Sequence, residues 1–362
     1  MLPPVVLRED GFDLEFHTLT DLAGGGRWGD LLGSDGYLLQ ERLIVPPDLV
    51  GDAGREVAWP PGPPDCNPSL VWIGHPALPL QRAAVVARPR AGGARIEVSP
   101  AAVKIAADGV QLLFSAPLLC SAERSPQALD ASFRKVSTVL AAGGMEESAL
   151  ARTWLFLDDI LGGYGLLNEA RQRYFQGWFS SANRFVPAST GIQARMPGGH
   201  RLSVEFWAFA GEGVTIRTLR SPLQDEPTGY GKLFSRAVRV DLPANSLLLV
   251  SGTAAIDQAG ASLHGGDFAG QLHRTLEVIA ALLAEAGGDF STVAQGIVYL
   301  KRAEDLELCR LLLAAAGFPG ERALFQVETP VCREELWCEI EVTAVLPRPA
   351  GSAARLASPG QP

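Results

Sequence analysis

A repeated order of secondary-structure patterns occupies most of residues 125–346 of the 362-residue chain. An amphipathic helix pattern is followed by a strand, a second helix and two further strands, and this order then occurs again. Self-similarity on this scale indicates one supersecondary unit used twice. It therefore limits the possible folds more than any single motif does.

The helix and strand patterns of the two copies match each other closely. In each copy the first helix has an apolar face and ends at a Gly-Gly pair, the first at Gly143 and the second at Gly287. The strands predicted after them are Thr153–Leu157 and Gly296–Leu300. Alternation of strands and helices in this order predicts an α+β fold of two tandem units, each a mixed β-sheet with helices on one face. The apolar faces are formed by Leu129, Phe133, Val136 and Leu140, and by Leu272, Leu276, Ile279 and Leu283.

The repeat sets the predicted domain boundaries. Residues 121–215 form the first unit and residues 216–346 the second. Residues 1–120 are rich in Gly and Pro and are predicted to be an N-terminal extension of short strands and loops. Residues 347–362 are predicted to be a disordered tail because Gly, Ser, Ala and Pro dominate them.

Net charge limits the possible binding partners, and cysteine content indicates the cellular compartment. The formal net charge of −9 argues against nucleic acid or an anionic membrane surface, both of which require clustered Lys and Arg. A local basic pocket for a small anionic substrate remains compatible with that total. No apolar run is long enough for a membrane span, and the N-terminus lacks a signal-peptide pattern. Five scattered cysteines do not suggest a disulfide framework, so a cytoplasmic location is expected.

Motifs for cofactors are missing from the sequence. The five histidines show no metal-ligand spacing with Cys or carboxylates. No glycine-rich phosphate loop with its Lys is present. We therefore expect neither a metal nor an organic cofactor.

Both copies carry short motifs in the same order, over about two thirds of the chain. In the second copy these stretches are Leu249–Thr253, Gly266–Phe268, Val298–Leu300 and Glu339–Glu341; in the first they are Leu155–Leu157, Asn168–Glu169 and Pro187–Thr190. Each motif is weak alone, but the order and the double occurrence are specific. Together the motifs resemble the Rid (YjgF-like) superfamily.

Two tandem Rid-like units behind an N-terminal segment resemble the chorismatases, which include chorismate hydrolases and hydroxybenzoate synthases. Three stretches add to the resemblance, namely 221–224, 230–237 and the Cys332-Arg333 pair. The segment around Lys232 departs from the chorismatase pattern, which leaves the substrate open. The resemblance implies an enzyme of secondary metabolism that releases pyruvate from chorismate, and either a homo-oligomer or a pseudo-trimeric monomer.

Glu339 is the predicted catalytic residue. Alternate residues of a strand share a face, so Trp337, Glu339, Glu341 and Thr343 point away from the helices. By resemblance, Glu339 corresponds to the catalytic Glu of chorismatases and borders a cleft between units. A carboxyl there is desolvated and can hold a proton for general acid catalysis. Without the resemblance, a solvated strand carboxylate would be the better interpretation.

Substrate-binding residues are predicted mainly from the resemblance. Arg322 aligns with the Arg that binds the substrate carboxylate in Rid deaminases, although a surface ion pair is equally compatible. The remaining predicted residues are Tyr230, Ser235, Arg236, Gly252, Thr253, Ala254 and Cys332. Glu205, between Val204 and Phe206, is interpreted as the counterpart of Glu339 in a copy that has lost its site.

Three functions are compatible with these residues. The first is a chorismatase that yields pyruvate with a dihydroxycyclohexadiene carboxylate or a hydroxybenzoate. The second is a Rid-type enamine or imine deaminase, which Arg322 and Glu339 together would favour. The third is a non-catalytic ligand-binding protein of the superfamily.

Overall fold

The structure is a computed structural model that describes residues 3–19, 32, 35–45, 69–73, 76, 78–120, 125–176, 186–194 and 200–348. Of residues 69–73, 229 and 230 it describes the backbone but not the side chains. The proline-rich residues 60–64 of the predicted N-terminal extension lie outside these ranges. So do residues 349–362 of the predicted disordered tail.

The C-terminal unit, residues 215–347, is one six-stranded sheet with two helices on one face, here named sheet 3. Its strand order is β13-β14-β15-β18-β16-β17, and only β16 and β17 pair in parallel. The elements are β13 (Thr215–Leu219), β14 (Ala237–Asp241), β15 (Asn245–Thr253), α3 (Phe268–Glu285), β16 (Val293–Leu300), α4 (Leu306–Ala315), β17 (Ala323–Gln326) and β18 (Cys338–Pro347).

The preceding unit, sheet 2, has the same element order and sheet topology. Its central path is β11-β10-β12-β8-β7-β6, with β9 paired to the start of β12. The elements are β6 (Arg95–Val98), β7 (Ala102–Ala107), β8 (Val110–Ser115), β9 (Leu118–Cys120), α1 (Pro126–Ala142), β10 (Leu150–Leu157), α2 (Ile160–Gln176), β11 (Ala188–Gln193) and β12 (Leu202–Ala210). The α+β fold of two repeated units is therefore confirmed.

Helix ends follow from local chemistry. Ser125 caps α1 by accepting a hydrogen bond from the Ala128 amide, and Pro126 occupies the first turn, where its missing N–H costs nothing. Asp267 caps α3 in the same way through the Gly270 amide. Gly287, just past α3, has φ +80°, a conformation that favours glycine. The apolar faces predicted for α1 and α3 are buried.

The N-terminal residues form a third sheet of the same design, sheet 1, in place of the predicted extension. Its order, β1-β2-β5-β3-β4, reproduces the order β14-β15-β18-β16-β17 of sheet 3, with β3 and β4 as the parallel pair. Residues 95–120, also assigned to the extension, supply four strands of sheet 2 instead. The strands of sheet 1 are β1 (Val5–Glu9), β2 (Phe12–Leu19), β3 (Tyr37–Val45), β4 (Ser69–Ile73) and β5 (Gln81–Pro89).

One irregularity fixes the register between the three sheets. The pairing of β3 with β5, of β10 with β12 and of β16 with β18 each shifts at the same place, just before Gln40, Arg152 and Gln295 respectively. These three residues are therefore equivalent. Counting along the strands from them gives the equivalent positions in all three units.

The three sheets contact one another in a closed cycle. Sheet 2 meets sheet 3 through β11 and β15, sheet 3 meets sheet 1 through β17 and β5, and sheet 1 meets sheet 2 through β3 and β8. Their inner faces share one apolar core, which holds Phe16, Trp154 and Tyr299 from the three sheets. The helices of sheets 2 and 3 cover separate outer cores. A single chain therefore forms a pseudo-trimer, and interfaces between units are the places where clefts form.

No helix within the described residues is long and apolar enough to cross a membrane.

Candidate active site

A cleft lies where sheet 2 meets sheet 3, with about 560 Å³ of space not filled by protein atoms, counted out to its open mouth. Helix α2 and strand β11 of sheet 2 form one wall. The opposite wall comes from sheet 3, namely the segment before β14, the end of β15 and the segment leading into β18. The lining residues are Tyr164, Arg171, Ser189, Gly191, Lys232, Phe234, Arg236, Gly252, Ala254, Ile256, Cys332, Arg333 and Glu339.

Glu339 lies at the base of this cleft and is 5% exposed. It is the second residue of β18 and pairs with Tyr299 of β16. As predicted from strand alternation, the neighbouring Cys338 and Ile340 pack in the helix-side core instead. Gly252 makes room for the carboxyl, because a Cβ atom at that position would lie 1.9 Å from Glu339 Oε1.

The surroundings of Glu339 favour its protonated form. Burial, followed by the nearby Glu341 carboxylate, raises the pKa of Glu339 to about 8, although Arg152 and Arg236 act in the opposite direction. Since removal from water disfavours the charged form of a carboxyl, Glu339 holds a proton at neutral pH. This is the state that a general acid requires.

Four cationic side chains surround the same cleft. Arg171 of α2 is 2% exposed and donates to Ser189 Oγ at 3.3 Å. Arg236 is equally buried, and its Nε donates to the Asp225 carbonyl at 3.1 Å. Arg333 donates to the Gly260 carbonyl at 2.7 Å. Among the residues that line the cleft, these three groups and Lys232 are cations and Glu339 is the one carboxyl, itself protonated. Arg236 and Arg333 also interact with Glu226 and Glu335 outside the lining. The excess of cations suits an anionic ligand.

Two aromatic rings hold three of these cations in place. The Phe234 ring lies 5.4 Å from the Arg171 guanidinium carbon and 5.8 Å from that of Arg236. The Lys232 ammonium lies 5.3 Å from the centre of the Tyr164 ring. Cations over ring faces are attracted by the ring quadrupole, and here the rings also restrict the rotamers of the long side chains. The cleft therefore has a largely fixed charge arrangement.

Cys332 forms part of the wall beside Tyr164 and Glu339. Burial and the Glu339 charge raise the pKa of the Cys332 thiol to about 12. The pKa of the Tyr164 hydroxyl is also raised, again mainly by burial. Both groups are neutral around pH 7, so Cys332 packs as a small apolar group and does not act as a thiolate nucleophile.

The structure brings five of the predicted site residues into the cleft, namely Glu339, Arg236, Gly252, Ala254 and Cys332. The Gly252 amide is not free to bind an anion, because it donates to Thr190 Oγ1 at 3.0 Å.

Two other predicted residues have structural contacts. Ser235 is buried and donates to the Val186 carbonyl at 2.6 Å, which joins the two units. Thr253 is fully buried, and its hydroxyl donates to the Ser251 carbonyl at 2.9 Å. Tyr230 ends the 3-10 helix Pro227–Tyr230, but its side chain lies outside the described structure.

Arg322 does not belong to the Glu339 cleft. It stands just before β17, and its guanidinium donates to the carbonyl of Val293 at 2.7 Å, at the far end of β16. Six residues of strand, or roughly 20 Å, separate Val293 from Tyr299, the partner of Glu339. Its backbone carbonyl accepts a hydrogen bond from Thr18 at 3.4 Å. Arg322 thus lies at the interface of sheet 3 with sheet 1, whereas Glu339 faces sheet 2.

Glu205 is not the counterpart of Glu339. Glu205 pairs with Trp154, which is equivalent to Ile297, the partner of Glu341. The residue equivalent to Glu339 is Ser203. Glu205 is fully buried and binds Arg42 and Gln40 of sheet 1, away from the cleft.

The sequence did not indicate the wall supplied by sheet 2. Tyr164, Arg171, Ser189 and Gly191 come from the other unit. Ser189 lies in the Pro187–Thr190 stretch that carries the Rid resemblance, but that stretch gave no reason to place it beside Glu339. Phe234 and Arg333 neighbour predicted residues but were not themselves selected.

Comparison with known families agrees with the geometry of the C-terminal unit. Residues 226–346, about one third of the chain, match the family described as Endoribonuclease L-PSP. The unit that carries Glu339 is therefore similar to this family, and the predicted resemblance of its motifs to the Rid superfamily is confirmed.

The whole chain, in turn, is similar to a solved chorismatase structure. The TM-score is 0.67 at 20% sequence identity, over 91% of this chain and 98% of the other. The two proteins thus share a fold over most of the chain.

Single-unit structures match only one part of the chain. An L-PSP protein described as a putative endoribonuclease, from Entamoeba histolytica, has 20% identity, covers 36% of this chain and 100% of its own length, and gives a TM-score of 0.31. A member of the YjgF family from Neisseria meningitidis has 25% identity over 38% of this chain and 98% of its own, with a TM-score of 0.28.

Proposed function

We propose that the protein is a chorismatase-like enzyme that releases pyruvate from chorismate. The observation that carries this proposal is the buried Glu339 carboxyl, which holds a proton at neutral pH and faces a cleft with four cationic side chains. The shared fold with a chorismatase supports it.

In the proposed reaction Glu339 protonates the terminal methylene of the enolpyruvyl ether. The C=C electron pair forms the new C–H bond, and the ether carbon becomes an oxocarbenium ion. Water attacks this carbon and gives a hemiketal, which collapses to pyruvate and the ring alcohol. A proton returns to the Glu339 carboxylate, so no metal or redox partner is needed for the balance. General acid catalysis suits a group whose pKa lies near the working pH.

The cations would bind the two carboxylates of the substrate. Arg171 and Arg236 are the most buried, so their attraction for an anion is screened least by solvent. Guanidinium groups can grip a carboxylate with two parallel hydrogen bonds. Lys232 marks the departure from the chorismatase sequence pattern, and here it supplies one of the four charges.

The identity of the second product depends on whether water or the ring hydroxyl attacks the oxocarbenium ion. Attack by water gives a dihydroxycyclohexadiene carboxylate, whereas attack by the ring hydroxyl leads toward a hydroxybenzoate. Ala254 and Cys332 lie in the cleft with Glu339, and their small side chains leave room for either nucleophile. We propose pyruvate release as the common outcome.

The alternative of a Rid-type deaminase is less well supported. It depended on Arg322 and Glu339 acting on one substrate, and these residues lie at different interfaces. Arg171 or Arg236 would have to replace the Arg322 clamp.

The test is a pyruvate assay with chorismate and the Glu339→Gln variant. Gln keeps the size of the side chain but cannot donate the acidic proton, so kcat should fall about 100- to 10,000-fold with little change in substrate binding. Glu205→Gln removes another buried carboxyl on the equivalent strand and should leave turnover nearly unchanged. Absence of pyruvate release by the folded wild-type protein, or equal losses in both variants, would refute the assignment. Enamine-generating substrates, assayed in parallel, test the deaminase.

A further inference from the structure

Behind Glu339 lies a second buried carboxyl with its own partners. Glu341, two residues further along β18, is 6% exposed and accepts hydrogen bonds from Arg152 Nη2 and from Trp154 Nε1, both at 2.9 Å. Both donors come from β10 of sheet 2. Arg152 is 1% exposed and also donates to Thr190 Oγ1 at 2.6 Å. One unit therefore carries the acid, while its neighbour supplies the partners of the adjacent carboxylate.

Within the described part of the chain, three charged groups act on the ionisation of Glu339. Glu341 on its own strand opposes its ionisation, whereas Arg152 of β10 and Arg236 before β14 promote it. The remaining titratable groups facing it are neutral near pH 7, because burial raises their pKa values; they are Tyr164 of α2, Tyr299 of β16 and Cys332 before β18. Lys232, Arg171 and Arg333 line the same cleft but are not among the groups that shift the pKa of Glu339.

We propose that Glu341 and Arg152 are positioning residues that together set the proton occupancy of Glu339. The Glu341 carboxylate keeps the proton on Glu339, and the Arg152 guanidinium, which binds Glu341, limits that effect. The inference rests on the proposed function. Same-face neighbours on a strand are about 7 Å apart, close enough for strong coupling where water is excluded. The Arg152–Glu341 pair spans the interface, so the acid is tuned only when both units are docked.

Substitution of Glu341 and of Arg152 should shift the alkaline limb of the pH–rate profile in opposite directions. Glu341→Gln removes the anion and leaves Arg152 uncompensated, so the alkaline limb of kcat/KM should move down by about one pH unit. At a pH about one unit above the wild-type midpoint, turnover should then be roughly tenfold slower. Arg152→Gln removes a cation that favours ionisation of Glu339, so the limb should move up by about one unit. The double variant should return near the wild-type midpoint.

The experiment measures these limbs for pyruvate release, together with an infrared titration of the free protein. The carbonyl band of a protonated carboxyl that is lost in Glu339→Gln reports Glu339 directly, without any substrate. Glu205→Gln is the matched control, since Glu205 is the residue of sheet 2 that is equivalent to Glu341. In this variant the Glu339 midpoint should not move, even if the stability of the protein falls.

Opposite shifts in Glu341→Gln and Arg152→Gln support the inference. Shifts in the same direction, or no shift, overturn it, because a purely structural role cannot move one midpoint both ways. Without turnover of chorismate the proposed function fails, yet the infrared midpoints still decide whether the pair controls Glu339.

Discussion

Gly252 offers a way to move the Glu339 carboxyl without removing it. A Cβ atom at position 252 would lie 1.9 Å from Glu339 Oε1 and 2.8 Å from its Cδ. The next nearest atom, Thr190 Cγ2, is 3.2 Å away and needs only a small adjustment. The clash in Gly252→Ala therefore falls on the end of one flexible side chain rather than on the backbone.

The displacement can be worked out from these distances. Ordinary van der Waals contact begins at 3.4 Å, so the carboxyl oxygen must retreat by about 1.5 Å. Misplacing a reacting group by about 1 Å can cost roughly 100-fold in rate. We expect kcat/KM for pyruvate release from chorismate to fall about 100-fold or more. Thermal unfolding should change little, because no backbone hydrogen bond is lost and the bond from the Gly252 amide to Thr190 persists.

Gly191 is the matched control, because it lines the same cleft from sheet 2. A Cβ atom there would meet only Leu167 Cδ2 at 3.6 Å and Arg171 Nη2 at 3.8 Å, both ordinary contacts. Gly191→Ala should lose much less activity than Gly252→Ala, because it leaves the Glu339 carboxyl in place. If Gly252→Ala retains wild-type turnover, or if Gly191→Ala loses as much, then Glu339 in the observed position is not the proton donor.

Two further predictions test the assignment of residues to interfaces and the protonation state of Glu339. Arg322→Gln should leave KM and kcat for chorismate nearly unchanged, because Arg322 bonds the Val293 carbonyl at the other interface; a large rise in KM would return it to the substrate site. The pH dependence of stability should also change in Glu339→Gln. The folded pKa of Glu339, about 8, lies above the unfolded value of 4.5, so the folded state binds the extra proton and wild-type stability falls as pH rises through this window. We therefore expect the free energy of unfolding of the variant to rise relative to that of the wild type as the pH is raised from 5 to 9, measured by denaturant unfolding. A difference in unfolding free energy that stays constant with pH would contradict the raised pKa.

The sequence was informative wherever one element decides its own structure. Helix periodicity located α1 and α3, and the Gly-Gly stops located their ends. Strand alternation placed Glu339 on the face away from the helices. The third sheet was missed because its strands are separated by long Gly- and Pro-rich stretches, and no helix pattern in residues 1–100 repeats the one at residues 125–140.

Contacts between units could not be predicted from the sequence, for a different reason. Arg171 and Glu339 are far apart in the chain and meet only because β11 docks on β15. Arg322 was assigned to the wrong cleft because a motif shows which residues one unit contributes, but not which neighbour each residue faces. The Glu205 assignment failed by two residues, because only the bulge before Arg152 fixes the register between copies.

The three sheets have equivalent strand positions, and the side chain at the position of Glu339 is a carboxylic acid in sheet 3 alone. Gln81, Ser203 and Glu339 occupy the same place in sheets 1, 2 and 3. The Gln81 amide is fixed by two hydrogen bonds to the Phe325 backbone, at 2.9 and 2.8 Å, so it fastens sheet 1 to sheet 3. Phe325 is the equivalent of Gly191, whose missing side chain leaves space in the Glu339 cleft. Two side chains therefore distinguish the Glu339 cleft from the contact between sheets 1 and 3: a hydrogen atom stands in place of a ring, and a carboxyl in place of an amide. Under the proposed function, this difference provides space for a substrate with a proton donor beside it. The interface between sheets 1 and 2 instead carries the buried bond of Arg42 to Glu205.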